Sequence, residues 1–92
     1  MTLSRFPLGQ IVATPGVLTA LSEAGDSPAS FLRRHASGDW GEIDYEDLQE
    51  NERSLSSGCR LLSAYTTSTG VRIWVITEAD RSATTLLLPS DY

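Results

Sequence analysis

Apolar positions along this chain change their period once. Between Thr14 and Ser57 they recur at helical three- and four-residue spacing; from Cys59 to Leu88 they alternate with polar ones or form short β-branched blocks. The second stretch, CRLLSAYTTSTGVRIWVITEADRSATTLLL, predicts three short strands joined by two tight turns. Its central run, Val71 to Glu78, is rich in residues that suit a pleated, covered surface. Thr67-Ser68-Thr69-Gly70 and Ala79-Asp80-Arg81-Ser82 carry hairpin-turn chemistry. Val71, Ile73, Val75 and Thr77 share one face, which suits packing under helices. The other face presents Arg72, Trp74, Ile76 and Glu78. An indole and an isoleucine on that face call for a cover, either an N-terminal segment or helix of the same chain, or a partner.

The helical stretch is punctuated by caps. Thr14-Pro15 opens a first helix with Val17, Leu18, Leu21 and Ala24 on its apolar stripe, and Gly25 stops it. Ser27-Pro28 opens a second, with Phe31, Leu32 and His35 as stripe, Arg33 and Arg34 in its last turn, and Gly38 as stop. A turn, Gly38-Asp39-Trp40-Gly41, leads to a third helix from Asp44, its N-cap, to Ser57, with Gly58 beyond. The third helix has thin apolar content: Leu48 and Leu55 flank Asn51, and Tyr45 extends that face only at its edge. Leu8 to Ala13 is a candidate for a short strand added at a sheet edge. The expected fold is α+β: three short helices on the Val71/Ile73/Val75 face of a three-stranded antiparallel meander. Its core draws on Val17, Leu18, Leu21, Phe31, Leu32, Leu48, Leu55, Leu61, Val71, Ile73, Val75 and Leu87.

Ninety-two residues, 40% hydrophobic and 21% charged, suit one small globular domain over 1–92. No apolar run approaches the roughly 20 residues that span a bilayer. Met1 to Gln10 lacks the basic-then-apolar pattern of a secretory signal. The single cysteine, Cys59, excludes an internal disulfide, reads as a packed small residue, and fits a reducing cytoplasm. All seven basic residues are arginine, so Schiff-base chemistry and a phosphate-loop lysine are excluded. A net charge of −5 argues against direct binding of a phosphate backbone. The charge is also unevenly spread: Asp39 to Glu52 holds seven of the twelve acidic residues and no basic one.

Three constellations could carry chemistry. His35 with Asp39, Asp44 and Asn51 could converge around Trp40 as an acid–base pair or metal site, or simply tie the glycine-bounded turn to the helices. Glu78, Asp80 and Arg81 could form an acidic pair with an arginine clamp, although Asp and Ser at that point also make turns. The acidic run is either a solvated helix face or a surface that attracts a basic partner. Neither a glycine-rich phosphate cradle nor Cys/His metal spacing is present, so no metal or other cofactor is expected.

Three strings, RFPLGQIVATPG (Arg5 to Gly16), RHASGDWGEID (Arg34 to Asp44) and IWVITEADRSATTLLLP (Ile73 to Pro89), resemble a family of short bacterial proteins found on plasmids and integrative elements. Some members of that family are labelled a restriction-modification subunit, but this chain is too short for a methyltransferase and lacks its glycine-rich cofactor loop. The resemblance implies a setting, mobile DNA, and a role in conflict between element and host. The resulting expectation is a non-catalytic inhibitor that occludes a basic host defence complex, such as a CRISPR–Cas assembly or restriction enzyme. Its contacts would come from Asp39, Trp40, Glu42, Tyr45, Glu46, Asp47, Glu50 and Trp74. The competing readings are a small enzyme on nucleic acid or nucleotide using His35, Asp39, Glu78 and Asp80, and a homodimer joined through the Trp74 face. If the acidic face packs instead against the chain's own Arg33, Arg34, Arg53 and Arg60, the first expectation loses its motive.

Overall fold

The computed structural model describes residues 4–92, so the first three residues of the Met1 to Gln10 stretch lie outside it. Its elements run β1 (Gln10–Ala13), α1 (Pro15–Ala24), α2 (Pro28–Ala36), α3 (Tyr45–Ser57), β2 (Leu61–Thr66), β3 (Arg72–Thr77) and β4 (Ala83–Leu87), closed by a 3-10 turn at Pro89–Asp91. The helix signals in the sequence do what their chemistry requires. The Thr14 hydroxyl accepts from the Val17 N–H, Ser27 from Ala29, and the Asp44 carboxylate from Asp47, each satisfying a donor that has no partner in the first turn. Gly25 and Gly58 end α1 and α3 in left-handed conformation, at φ 68° and 77°. The second helix stops earlier than Gly38, with Ser37 as its C-cap.

The architecture is α+β, with three helices and a four-stranded sheet of order β1-β4-β3-β2. β2, β3 and β4 form the expected antiparallel meander, but β1 pairs parallel to β4, with Gln10 opposite Ala83 and Ala13 opposite Leu86. The sheet is therefore mixed rather than three-stranded and antiparallel. β1 converts β4 from an edge strand into an interior one, and Leu86 of β4 is fully buried in the core with Val17 and Leu21. The direction of β1 was unreadable in LGQIVA because a partner some seventy residues away leaves no turn signal between them.

α1 and α2 cover one face of the sheet. Val17 and Leu21 of α1 and Phe31 of α2 pack with Tyr65, Ile73, Val75 and Leu86. α3 does not join that layer; it runs beside β2 at the sheet edge and buries only Asn51 and Ser54 among its own residues. A second cluster of Phe6, Trp40 and Leu61 fills the space under the N-terminal segment, with Leu8, Ile43 and Leu55 against it. Three expected core residues are exposed: Leu18, Leu48 and Val71. Leu18 lies one residue off the Val17/Leu21 stripe, Leu48 sits on the poorly packed α3, and Val71 belongs to the turn before β3 rather than to the strand.

Candidate interaction surface

The acidic run divides into spent and free carboxylates. Glu52 is partly exposed and receives both guanidinium nitrogens of Arg5, at 2.9 and 3.1 Å, together with the Trp40 indole N–H at 2.8 Å. These donors, the Arg5 hydrogen bond foremost, hold Glu52 below the usual carboxylate range. Asp39 is 2.7 Å from Arg34 Nε and is lowered mainly by that hydrogen bond. Glu50 pairs with Arg53 one turn along α3, and Glu42 accepts from the Thr66 hydroxyl. Asp44 is committed to its helix cap. Glu46 and Asp47 have no side-chain partner among the described residues. Both are exposed in the first turn of α3, where their charge also favours the helix dipole. Tyr45 stands beside them, 75% exposed. The structure thus gathers Tyr45, Glu46, Asp47 and Glu50 around one open face of α3 and neutralises Asp39 elsewhere.

The two tryptophans are not equivalent to Tyr45. Trp40 is 3% exposed, stacked on Phe6 at 6.0 Å and set edge-on to His35 at 5.6 Å, so it holds the fold together and is not at the surface. Trp74 is half-buried, and the chain's own C-terminal Tyr92 lies edge-on to it at 5.8 Å, with the Arg60 guanidinium over the Tyr92 ring. The 3-10 turn at Pro89–Asp91, which Tyr92 caps, lies against β3 and brings this contact. Ile76 and Leu87 on the same face are nearly covered.

His35 is fully buried and meets no carboxylate. Its Nδ1 lies 2.5 Å from the Ser63 hydroxyl and its Nε2 lies 2.9 Å from that of Thr77. Thr77 Oγ1 is 2.7 Å from Thr84 Oγ1, which donates to the Leu8 carbonyl at 2.7 Å. The order of donors follows from counting protons. The Thr84 hydroxyl has spent its one proton on Leu8, so Thr77 must donate to Thr84. His35 Nε2–H must then donate to Thr77, which leaves Nδ1 to accept from Ser63. His35 is therefore a neutral ring protonated at Nε2, and burial depresses its pKa to about 4. This buried chain joins α2 to β2, β3, β4 and the N-terminal segment.

The proposed catalytic set does not assemble. His35 bonds only to hydroxyls, Asp39 turns outward to Arg34, and the Asp80 carboxylate accepts from Ser82 N within its own turn. Arg81 is no substrate clamp: at φ 61° it points back and donates to the carbonyls of Cys59, Glu78, Ala79 and Ser54, pinning the β3–β4 turn to the C-terminus of α3. Asn51 does not meet His35 or Asp39 either. Its amide donates to the Leu62 carbonyl at 2.6 Å and accepts from the Leu62 N–H at 3.1 Å, standing in for a strand on the open side of β2. Further along the same side, Ala64 N donates to Trp40 O and Glu42 N donates to Ala64 O. Cys59 is exposed in the loop before β2, not packed at a strand start.

Sequence reasoning missed Arg5, Ser63, Thr77 and Thr84 as organising residues. Only Thr77 carried a signal, its inward position on the β3 face. Among the described residues, no group of three or more His, Cys, Asp and Glu side chains could hold a metal ion, and no helix is long and apolar enough to cross a membrane. Comparison with protein families, curated proteins and solved structures finds no match to this chain.

Proposed function

We propose that this chain is a non-catalytic binding protein that docks the first turns of α3 onto a basic partner surface. Glu46 and Asp47 supply the charge, and Tyr45 is the aromatic anchor. The observation that carries the reading is the contrast within the acidic run. Asp39, Glu50 and Glu52 are matched by arginines of the same chain, while Glu46 and Asp47 have no partner among the described residues and stand beside a tyrosine that is 75% exposed. An exposed aromatic residue loses little conformational entropy on docking, and neighbouring carboxylates steer a cationic partner toward it. Trp40 is left out of the contact set because it is buried, and Asp39 and Glu50 because Arg34 and Arg53 pair with them.

The resemblance to proteins of plasmids and integrative elements supplies the class of partner: a nucleic-acid-targeting defence complex in the host cytoplasm, whose DNA- or RNA-binding surface is basic. The chain would compete with nucleic acid for that surface by occlusion. Phage plating tests this in a host with an active CRISPR–Cas or restriction system that expresses the chain. Wild type should restore plating and the double reversal Glu46→Arg, Asp47→Arg should not. Plating that wild type leaves unchanged, or that the reversal restores equally, refutes the reading.

A further inference from the structure

The two edges of the sheet are treated differently. The outer side of β2 is closed by the chain itself, through the Asn51 amide on Leu62 and the Trp40–Glu42 segment on Ala64. β1, at the other edge, has no strand on its outer side among the described residues. Gln10 N donates to Ser82 O and Thr14 N to Leu86 O, so even-numbered residues turn their amides toward β4. By strand alternation, Ile11 and Ala13 turn their N–H and C=O groups outward. Natural proteins block such an edge with charge, proline or a covering loop. Here Gly9 to Thr14 is GQIVAT, without a charged residue, and Ile11 and Val12 are 46% and 42% exposed.

We propose that β1 is a dimerisation edge, onto which a second copy of this chain adds its own β1 in antiparallel register. Gly9, at φ 67°, and the start of α1 at Pro15 bound the usable strand, so the register that engages all of it is centred on Val12. Ile11 of one protomer then exchanges both backbone hydrogen bonds with Ala13 of its partner, and the two-fold axis repeats the exchange. Val12 meets its own copy at a non-hydrogen-bonded position.

A second copy is the fitting occupant for two reasons. The edge has no charge pattern to select a foreign peptide, while its β-branched residues on both faces match themselves across a two-fold axis. Electrostatics points the same way. Two chains of net charge −5 repel, and the acidic helix α3 lies beside β2, at the far end of the order β1-β4-β3-β2. Meeting through β1 keeps the two acidic helices at opposite ends of the joint sheet. Asp91, bound to Thr14 just past β1, is occupied by the Thr14 hydroxyl and the Leu88 N–H.

Sedimentation of the full chain across the micromolar range, with a cysteine trap, tests the proposal. Wild type should be a reversible dimer, and Ile11→Lys should weaken it by roughly tenfold or more, the effect of about 1.4 kcal/mol. In a Cys59→Ser background, Val12→Cys should form a disulfide-linked dimer under mild oxidation. The expected separation of about 4.5 Å between the two Cα atoms lies within the range a disulfide spans. The trap reads the edge even if Ile11→Lys fails to fold. A monomer at high micromolar concentration with no cross-link overturns the proposal. So does a dimer that survives Ile11→Lys and gives no cross-link, because another face would then join the copies. The acidic surface of α3 is not involved, so a monomer leaves its reading unchanged.

Discussion

Acid should destabilise this protein while Asp39 and Glu52 are still ionised, and His35 should be the cause. The ring is fully buried, its Nε2 proton is committed to Thr77, and Nδ1 is occupied by the Ser63 hydroxyl. A second ring proton would oblige the Ser63 hydroxyl to turn and accept from Nδ1 instead of donating to it. It would also place a positive charge among Phe6, Trp40 and three hydroxyls, with no carboxylate in contact. The pKa therefore falls from 6.5 to about 4, and the unfolded chain binds the proton that the folded one refuses. For a base with a depressed folded pKa, the stabilisation is complete above pH 6.5 and is lost as pH falls toward 4. Linkage between those two values gives a loss of about 2 kcal/mol between pH 7.5 and pH 5. In a domain of this size that lowers Tm by roughly 8 to 16 °C. Asp39 and Glu52, the carboxylates paired with arginine, have lowered pKa values and remain ionised across that window. Thermal melts at half-unit pH steps would measure the slope. His35→Gln, which can accept from Ser63 and donate to Thr77 without titrating, should be less stable at neutral pH but nearly flat over the same range. A flat wild-type profile, or a slope that survives His35→Gln, would refute the argument. Imidazole nitrogen shifts in NMR should independently report the Nε2–H tautomer.

Other substitutions probe the devices that hold α3 and the turns. Asn51→Ala removes both bonds to Leu62 and leaves a backbone N–H and C=O unpaired, so denaturant unfolding should show a loss of about 2 to 4 kcal/mol. Arg81→Lys should cost nearly as much as Arg81→Ala, about 2 kcal/mol by the same assay, because a single ammonium cannot span the carbonyls of Cys59 and Ser54. At Gly41, φ is 75° and an added Cβ would strike the Ala64 carbonyl and the Tyr65 ring, so Gly41→Ala should cost about 3 kcal/mol or more and lower Tm correspondingly. If α3 docks on a basic partner, the affinity should fall as salt rises, and Glu46→Gln with Asp47→Gln/Asn should flatten that dependence in a binding titration.

Local chemistry made the helices legible. Thr14, Ser27 and Asp44 each cap where the sequence places them, and Gly25 and Gly58 end their helices left-handed. The meander was readable for the same reason, since its turns lie between the strands they join. What escaped depends on contacts distant in sequence. The Arg5–Glu52 pair is 47 residues apart and the His35–Thr77 contact is 42, and nothing in either neighbourhood announces the other. Trp40 suggested a surface anchor because it stands in a polar turn. It is buried because Glu52 satisfies the indole N–H and Phe6 covers the ring.

Thin apolar content decides where α3 sits. A helix with Asn51 and Ser54 as its buried residues gains little from the hydrophobic effect, so it cannot lie across the sheet as α1 and α2 do. It is fixed by polar contacts instead: Asn51 to the β2 backbone, Glu52 to Arg5 and Trp40, and Arg81 to the Ser54 carbonyl. Those contacts lie on its inner side and toward its C-terminal half. Tyr45, Glu46 and Asp47 are therefore free of any structural duty beyond the helix dipole. This arrangement separates fold from surface: replacing Glu46 and Asp47 should change stability by less than about 1 kcal/mol, whereas replacing Glu52, of the same charge and the same helix, should destabilise the domain. Equal losses at all three positions would mean that the outer carboxylates help hold the helix in place, and the case for their role in binding would fail with that result.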